Sequence, residues 1–242
     1  MKFRLPLTAL MLGAALLAGP AVAKTKVPVA PAPTALPYVI DTDPTHEPEN
    51  VLLLDLSDGG RVAIRLMPQW APHHVERIKT LVAQGFYNGV IFHRVIEGFM
   101  AQTGDPTGTG EGGSKLPDLQ AEFNAMPHLR GTVSMARTND PNSANSQFFI
   151  VFYPRFALDR KYTVFGRVIG GMQYVDAIQR GEPPANPTKV LQASLASDGK
   201  APPVVTAATV APVAPAAAPA ATPAAPPTPA RPSPTAAGPK PN

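Results

Sequence analysis

The chain has no cysteine and a single tryptophan among its 242 residues. Without thiols it can form no disulfide, offer no thiolate to a metal and use no cysteine nucleophile. Its stability must therefore come from ordinary burial, which a core of about 150 residues supplies without staples. Charge is also sparse. The formal net charge is only +4, half of it from Lys2 and Arg4. No run of Lys and Arg follows the spacing of phosphates, so nucleic-acid binding is not expected. There is no HExxH pair, and His73, His74 and Glu76 lack the spacing of a metal site, so they read as a solvated helix start. No metal and no cofactor is expected.

A long apolar run occurs only at the beginning. Lys2 and Arg4 precede the apolar stretch Leu5 to Leu17, and Ala21-Val22-Ala23 supplies small residues for cleavage, so residues 1–23 read as a secretory signal peptide. Pro6, Gly13 and Pro20 interrupt the run, which falls short of the roughly 20 residues a membrane span needs. The expectation is a mature chain exported to a bacterial periplasm, without a membrane span and monomeric. Residues 24–48 hold five prolines between Pro28 and Pro44 and read as an extended spacer. Residues 199–242 read as a disordered tail, because positions 201–242 carry 13 Pro and 15 Ala and no aromatic side chain.

One domain, residues 49–198, lies between these flanks. Val51 to Leu56 and Arg61 to Leu66 flank the turn signal Ser57-Asp58-Gly59-Gly60, which predicts a β-hairpin. Pro72 opens a helix over His73 to Gln84 with Val75, Ile78, Leu81 and Val82 on one face, and Gly85 closes it. Strands are predicted at 90–94, 99–103, 131–136, 147–152 and 164–168, and a second helix from Met172 to Arg180. Many strands with two helices predict a mainly β fold, a barrel capped by helices. The glycine-rich stretch from Gly104 to Ser114 lacks the lysine and following helix of a phosphate-binding loop. It suits backbone that runs close to a bound peptide.

The chemistry-bearing residues cluster in two stretches. FHRVIEGFMAQTGD, from Phe92 to Asp105, sets Arg94 before the apolar pair Phe99 and Met100, with the amide of Gln102 beyond. SQFFIVF, from Ser146 to Phe152, adds Gln147, Phe148 and Phe149. Together they describe an apolar pocket with one fixed charge and two neutral amides at its rim. No nucleophile stands beside a base. Such a pocket suits a compact apolar group attached to a peptide carbonyl, and proline is one. His93 reads as a structural, hydrogen-bonded histidine, and Asp105 and Asp159 show no carboxylate pairing. Arg94 reads equally well, on composition alone, as a strand arginine in a surface salt bridge. Phe99, Met100 and Phe149 read equally well as core.

These stretches, with GTVSMAR from Gly131 and YTVFGRV from Tyr162, resemble the cyclophilins, a family of peptidyl-prolyl cis/trans isomerases, from about Asn50 to Leu195. The resemblance implies a closed β-barrel with two helices and rotation about X-Pro bonds. It implies that Arg94 is the electrostatic catalyst, with Gln102 fixing Arg94 and the substrate carbonyl. It places Phe99, Met100, Phe149 and Leu158 around the proline ring, with Tyr162 as an aromatic wall that carries a hydroxyl. Gly110, Gln147 and the backbone of Ala136 and Arg137 then lie along the adjoining groove. Proline-containing peptides and unfolded exported proteins are the implied partners. The alternative is a proline-recognising module or chaperone with little turnover. Ala157 stands where many eukaryotic relatives carry tryptophan, which implies weak cyclosporin binding. Tyr162 replaces a histidine and Arg137 an asparagine.

Overall fold

A computed structural model describes residues 40–204. The signal-peptide segment, most of the spacer and most of the tail lie outside the described residues. Strands β1 (Val51–Leu56) and β2 (Arg61–Leu66) form the hairpin that their patterns predict. A Cβ on Gly60 would lie 2.0 Å from the Tyr174 ring, so only glycine fits the turn there. Asp55, buried in β1, receives a two-pronged bond from Arg61, at 2.7 Å from Nε and 2.9 Å from Nη2. That geometry compensates the carboxylate for the water it has lost.

Helix α1 (Pro72–Ala83) opens on a proline, whose missing N–H costs nothing in the first turn. Its buried face includes Val75, Ile78, Leu81 and Val82. The backbone N–H groups of His73 and His74 both donate to Glu122, a carboxylate at the positive end of the helix dipole. The solvated helix start expected there is only half right. His73 is exposed, but His74 is fully buried with its Nδ1 2.7 Å from Glu122 Oε2.

The remaining strands are β3 (Arg94–Ile96), β4 (Met100–Thr103), β5 (Thr132–Met135), β6 (Phe148–Val151), β7 (Val164–Gly170) and β8 (Val190–Leu195). They form one antiparallel sheet in the order β3-β4-β6-β5-β7-β2-β1-β8. The fold is mainly β with two helices. Its edges meet through irregular backbone bonds: Gly89 N–H donates to Val190 O, Phe92 N–H to Thr188 O and Val190 N–H to Val90 O. The strand expected at 90–94 is therefore a seam, and regular pairing begins only at Arg94. Leu52, Leu54, Ile64, Leu66, Phe92, Phe148 and Phe165 fill the core that the sheet encloses.

Three further features differ from expectation. Helix α2 (Met172–Ala177) stops early, because Ile178 is extended and Gly181 pairs with Val95. Strand β8 has no clean alternation in its burial, which hides it from a period-two search. The folded unit also reaches beyond 49–198. The buried guanidinium of Arg65 donates to the carbonyls of Asp41, Asp43 and His46, while Ile40 packs with Met67, Trp70, Met126 and Val164. A buried cation requires acceptors, and residues 41–47 supply them. At the other end Arg61 donates to Lys200 O and Gln192 to Ala201 O. The 3₁₀ turns Pro48–Asn50 and Ala196–Asp198 lie against each other. No described helix is long and apolar enough to cross a membrane.

Candidate active site

Strand register builds the site. Arg94 stands opposite Gln102, Gln102 opposite Phe149, and Phe149 opposite Ser134. Directly opposed residues of antiparallel strands share a face, so one row across β3, β4, β6 and β5 carries a cation, an amide, a ring and a hydroxyl. Met100, two residues before Gln102, joins the same face. The alternate residues Ala101, Val133, Phe148 and Ile150 enter the core. The unbroken apolar run of SQFFIVF is thus a strand buried on both sides.

Around this row lies a pocket of about 110 Å³ lined by Arg94, Phe99, Met100, Gln102, Ala136, Arg137, Phe149, Leu158 and Tyr162. Phe149 and Tyr162 meet edge to face at 5.8 Å. The Arg155 guanidinium sits 5.2 Å from the Phe99 ring centroid. A groove of about 510 Å³ adjoins it, sharing Gln102, Ala136 and Arg137 and adding Gly110 and Gln147 among its walls. The structure brings together every side chain and glycine expected at the site. Nine line the pocket and the other two line the groove.

Two amides and the buried carboxylate of Asp105 hold the loop that walls the groove. Gln102 Nε2 donates to Gln147 Oε1 at 2.8 Å, and Gln147 Nε2 donates to the carbonyls of Gly110 and Gly112 at 2.8 and 2.7 Å. Beneath the loop, buried Asp105 accepts from Thr107 N–H, Thr107 Oγ1 and Gly110 N–H. Burial works to raise the Asp105 pKa, but the bonds from Thr107 and Gly110 outweigh it and hold the carboxyl at about 2. A Cβ on Gly112 would lie 2.0 Å from Asp105 Oδ1, so the loop wraps its anchor as tightly as glycine allows.

The family model for cyclophilin-type peptidyl-prolyl cis-trans isomerases matches residues 51–195, more than half of the chain. The chain belongs to the cyclophilins. A probable peptidyl-prolyl cis-trans isomerase of Brucella suis is 48% identical over 177 residues, covering 66% of this chain and 90% of the relative. The human peptidyl-prolyl cis-trans isomerase-like 3 is 45% identical over 129 residues, covering 51% and 79%. Among solved structures, a cyclophilin from Hirschia baltica matches with a TM-score of 0.58 and 33% identity, covering 63% of this chain and 76% of its own. A Cryptosporidium parvum cyclophilin, crystallised in the presence of the dipeptide Ala-Pro, matches with a TM-score of 0.57 and 28% identity, covering 60% and 98%. This cyclophilin is thus a peptidyl-prolyl cis–trans isomerase by family.

Its site departs from expectation at two residues, Gln102 and His93. Gln102 does not hold Arg94, because its amide is committed to Gln147. Arg94 is held instead by Glu182, whose Oε2 accepts from Nε at 2.7 Å. The surface salt bridge that composition allowed for Arg94 therefore exists, and it exists at the pocket rim. His93 is buried against the Gly110 loop, yet neither ring nitrogen has a protein partner, contrary to its reading as a hydrogen-bonded histidine. Asp159, as expected, has no carboxylate partner, and it supports the pocket through His128. It accepts from the backbone N–H of His128, and it lies 2.9 Å from His128 Nδ1. The other ring nitrogen of His128 lies 3.1 Å from Ser134 Oγ, and the imidazole stacks on Phe149 with centroids 6.3 Å apart.

The Arg137 guanidinium donates to Lys161 O and Thr138 O and lies 4.5 Å from the Tyr162 ring centroid. Ala157 sits in the turn Phe156–Leu158. Glu182, His128 and Ser134 went unnoticed in the sequence. Ser134 alone had a local signal, its place inside the GTVSMAR block.

Proposed function

We propose that this cyclophilin accelerates X-Pro rotation in exported proteins in the periplasm, with Arg94 as its electrostatic catalyst. The observation that carries the catalytic part is the position of the Arg94 guanidinium at the rim of an apolar pocket sized for a small ring. Resonance in the peptide bond sets a barrier to rotation of about 18–20 kcal/mol. In the twisted state the proline nitrogen regains a lone pair, and a cation beside it stabilises that state more than the planar one. Exclusion of water by Phe99, Met100, Phe149, Leu158 and Tyr162 strengthens this interaction. An acceleration of about 10⁵ requires about 7 kcal/mol, which charge placement and pocket binding supply without a covalent step. Gln102, Gln147 and the backbone at Ala136 and Arg137 orient the residues preceding proline.

The support for export is the basic-apolar-small pattern of residues 1–23. Two measurements test the reading. Turnover of an alanyl-prolyl peptide in a protease-coupled assay should be efficient in the natural chain. Binding of the same peptide with negligible turnover would favour the recognition-module alternative. Mass spectrometry of the protein recovered from a cell-envelope fraction should give a chain starting at Lys24. An intact Met1 chain in the cytosol would overturn the export reading.

A further inference from the structure

The one side-chain hydrogen bond that Arg94 makes among the described residues comes from outside its strand, its pocket and the sequence blocks around it. Glu182 Oε2 accepts from Arg94 Nε at 2.7 Å. The segment that carries Glu182 is docked. Val95 N–H donates to Gly181 O at 2.8 Å and Gly181 N–H to Val95 O at 2.9 Å, so residues adjacent to the ion pair are bridged backbone to backbone. Gly181 takes φ 142°, and a Cβ there would come within 2.6 Å of Pro184 Cα, so the tight turn presenting Glu182 requires glycine. Arg180 adds a second anchor, with Nε on Glu97 Oε2 and Nη1 on Asp176 O, each at 2.7 Å.

Arg94 and Glu182 side chains are 42% and 51% exposed. Ion pairs that wet contribute little to stability. Their geometry, however, is selective. Bonding at Nε occupies the donor nearest the side-chain stem and leaves both terminal amino groups uncommitted. We propose that Glu182 is a positioning residue for catalysis, fixing the plane of the Arg94 guanidinium so that its Nη edge faces the prolyl bond. This rests on Arg94 being the catalytic group. A guanidinium is planar and directional, so rotation about its stem misaligns the charge even when the charge itself remains.

The test uses the natural chain with Glu182→Ala and Glu182→Gln. The alanine variant should lose roughly fivefold in kcat with KM and Tm unchanged, the signature of lost transition-state alignment. The glutamine variant should recover most of the loss, because its amide oxygen still accepts from Nε. In ¹⁵N NMR, the Arg94 Nε–H resonance should be sharp and slow to exchange in the natural chain and in Glu182→Gln, and absent in Glu182→Ala. An unchanged or raised kcat in Glu182→Ala overturns the proposal. So does a fall that Gln fails to restore, or a fall matched by a lower Tm. Full turnover in Arg94→Ala would sink the reading of Arg94 itself, while the Nε–H resonance would still report whether the contact exists.

Discussion

At Arg94 and Phe149 the two halves of the proposed catalysis separate. Arg94 is half exposed and belongs to no apolar cluster, so Arg94→Ala should leave the circular dichroism spectrum intact. Its kcat should fall by about 10²-fold or more, the usual cost of losing a preorganised electrostatic partner. Near-normal kcat would end the electrostatic account. Phe149 is 5% exposed, packed with Met100 and Val151 and flanked by His128 and Tyr162. Phe149→Ala should therefore raise KM and also destabilise the domain by about 3–5 kcal/mol, read from denaturant midpoints. Arg94, Phe99, Met100 and Phe149 were legible because they fall in two compact stretches of sequence. Glu182 was not. It lies 88 residues beyond its partner in a proline-rich turn, and nothing local marks it.

The loop from Asp105 to Gly112 shows how an element can be stiff without regular structure. Its carboxylate is the hub of the bonds to Thr107 and Gly110, and Gly112 is pressed against it. Gly112→Ala should expel Asp105 from its seat, destabilise the domain by about 1–3 kcal/mol and speed amide exchange at Gly110. The same variant should raise KM for peptides extended before proline, since Gln147 bonds the carbonyls that this loop presents. Unaltered exchange at Gly110 would mean that the anchor is not Asp105. In the sequence the glycines told of close approach, but not of what was approached. The hairpin of β1 and β2 and helix α1 were legible through their apolar periods. The seam at 89–92 was not, because its partners lie near Thr188 and no pattern within the segment points there.

For the molecule as a whole, histidines couple stability to acidity. His74, His93 and His128 are all buried, and burial is the largest cause holding each pKa below the ordinary imidazole value. Their folded pKa values are depressed, so the unfolded chain binds protons more readily. Stability is then fully present above the unfolded value of about 6.5 and is lost as pH falls through the lower folded values. Melting temperature should drop by several degrees between pH 7.5 and pH 5, and His128→Gln should flatten part of that slope. A melting temperature that rises on acidification would reverse the sign argued here. The domain boundary has its own test. A fragment of residues 40–204 should melt higher than one of 49–198, since the shorter piece strips the acceptors from buried Arg65 at a cost of about 1–3 kcal/mol or more.

The contact between the turns Pro48–Asn50 and Ala196–Asp198 means that the domain's beginning and end are neighbours. Within the described domain the chain runs as a ring with one cut, and the cut falls beside β1 and β8, whereas the row that bears the site runs across β3, β4, β6 and β5. The position of the cut is therefore interchangeable. Joining the two ends with a short glycine linker and opening the exposed turn at Asp140 should yield a circular permutant that still folds, because the strands keep their neighbours and only their order of synthesis changes.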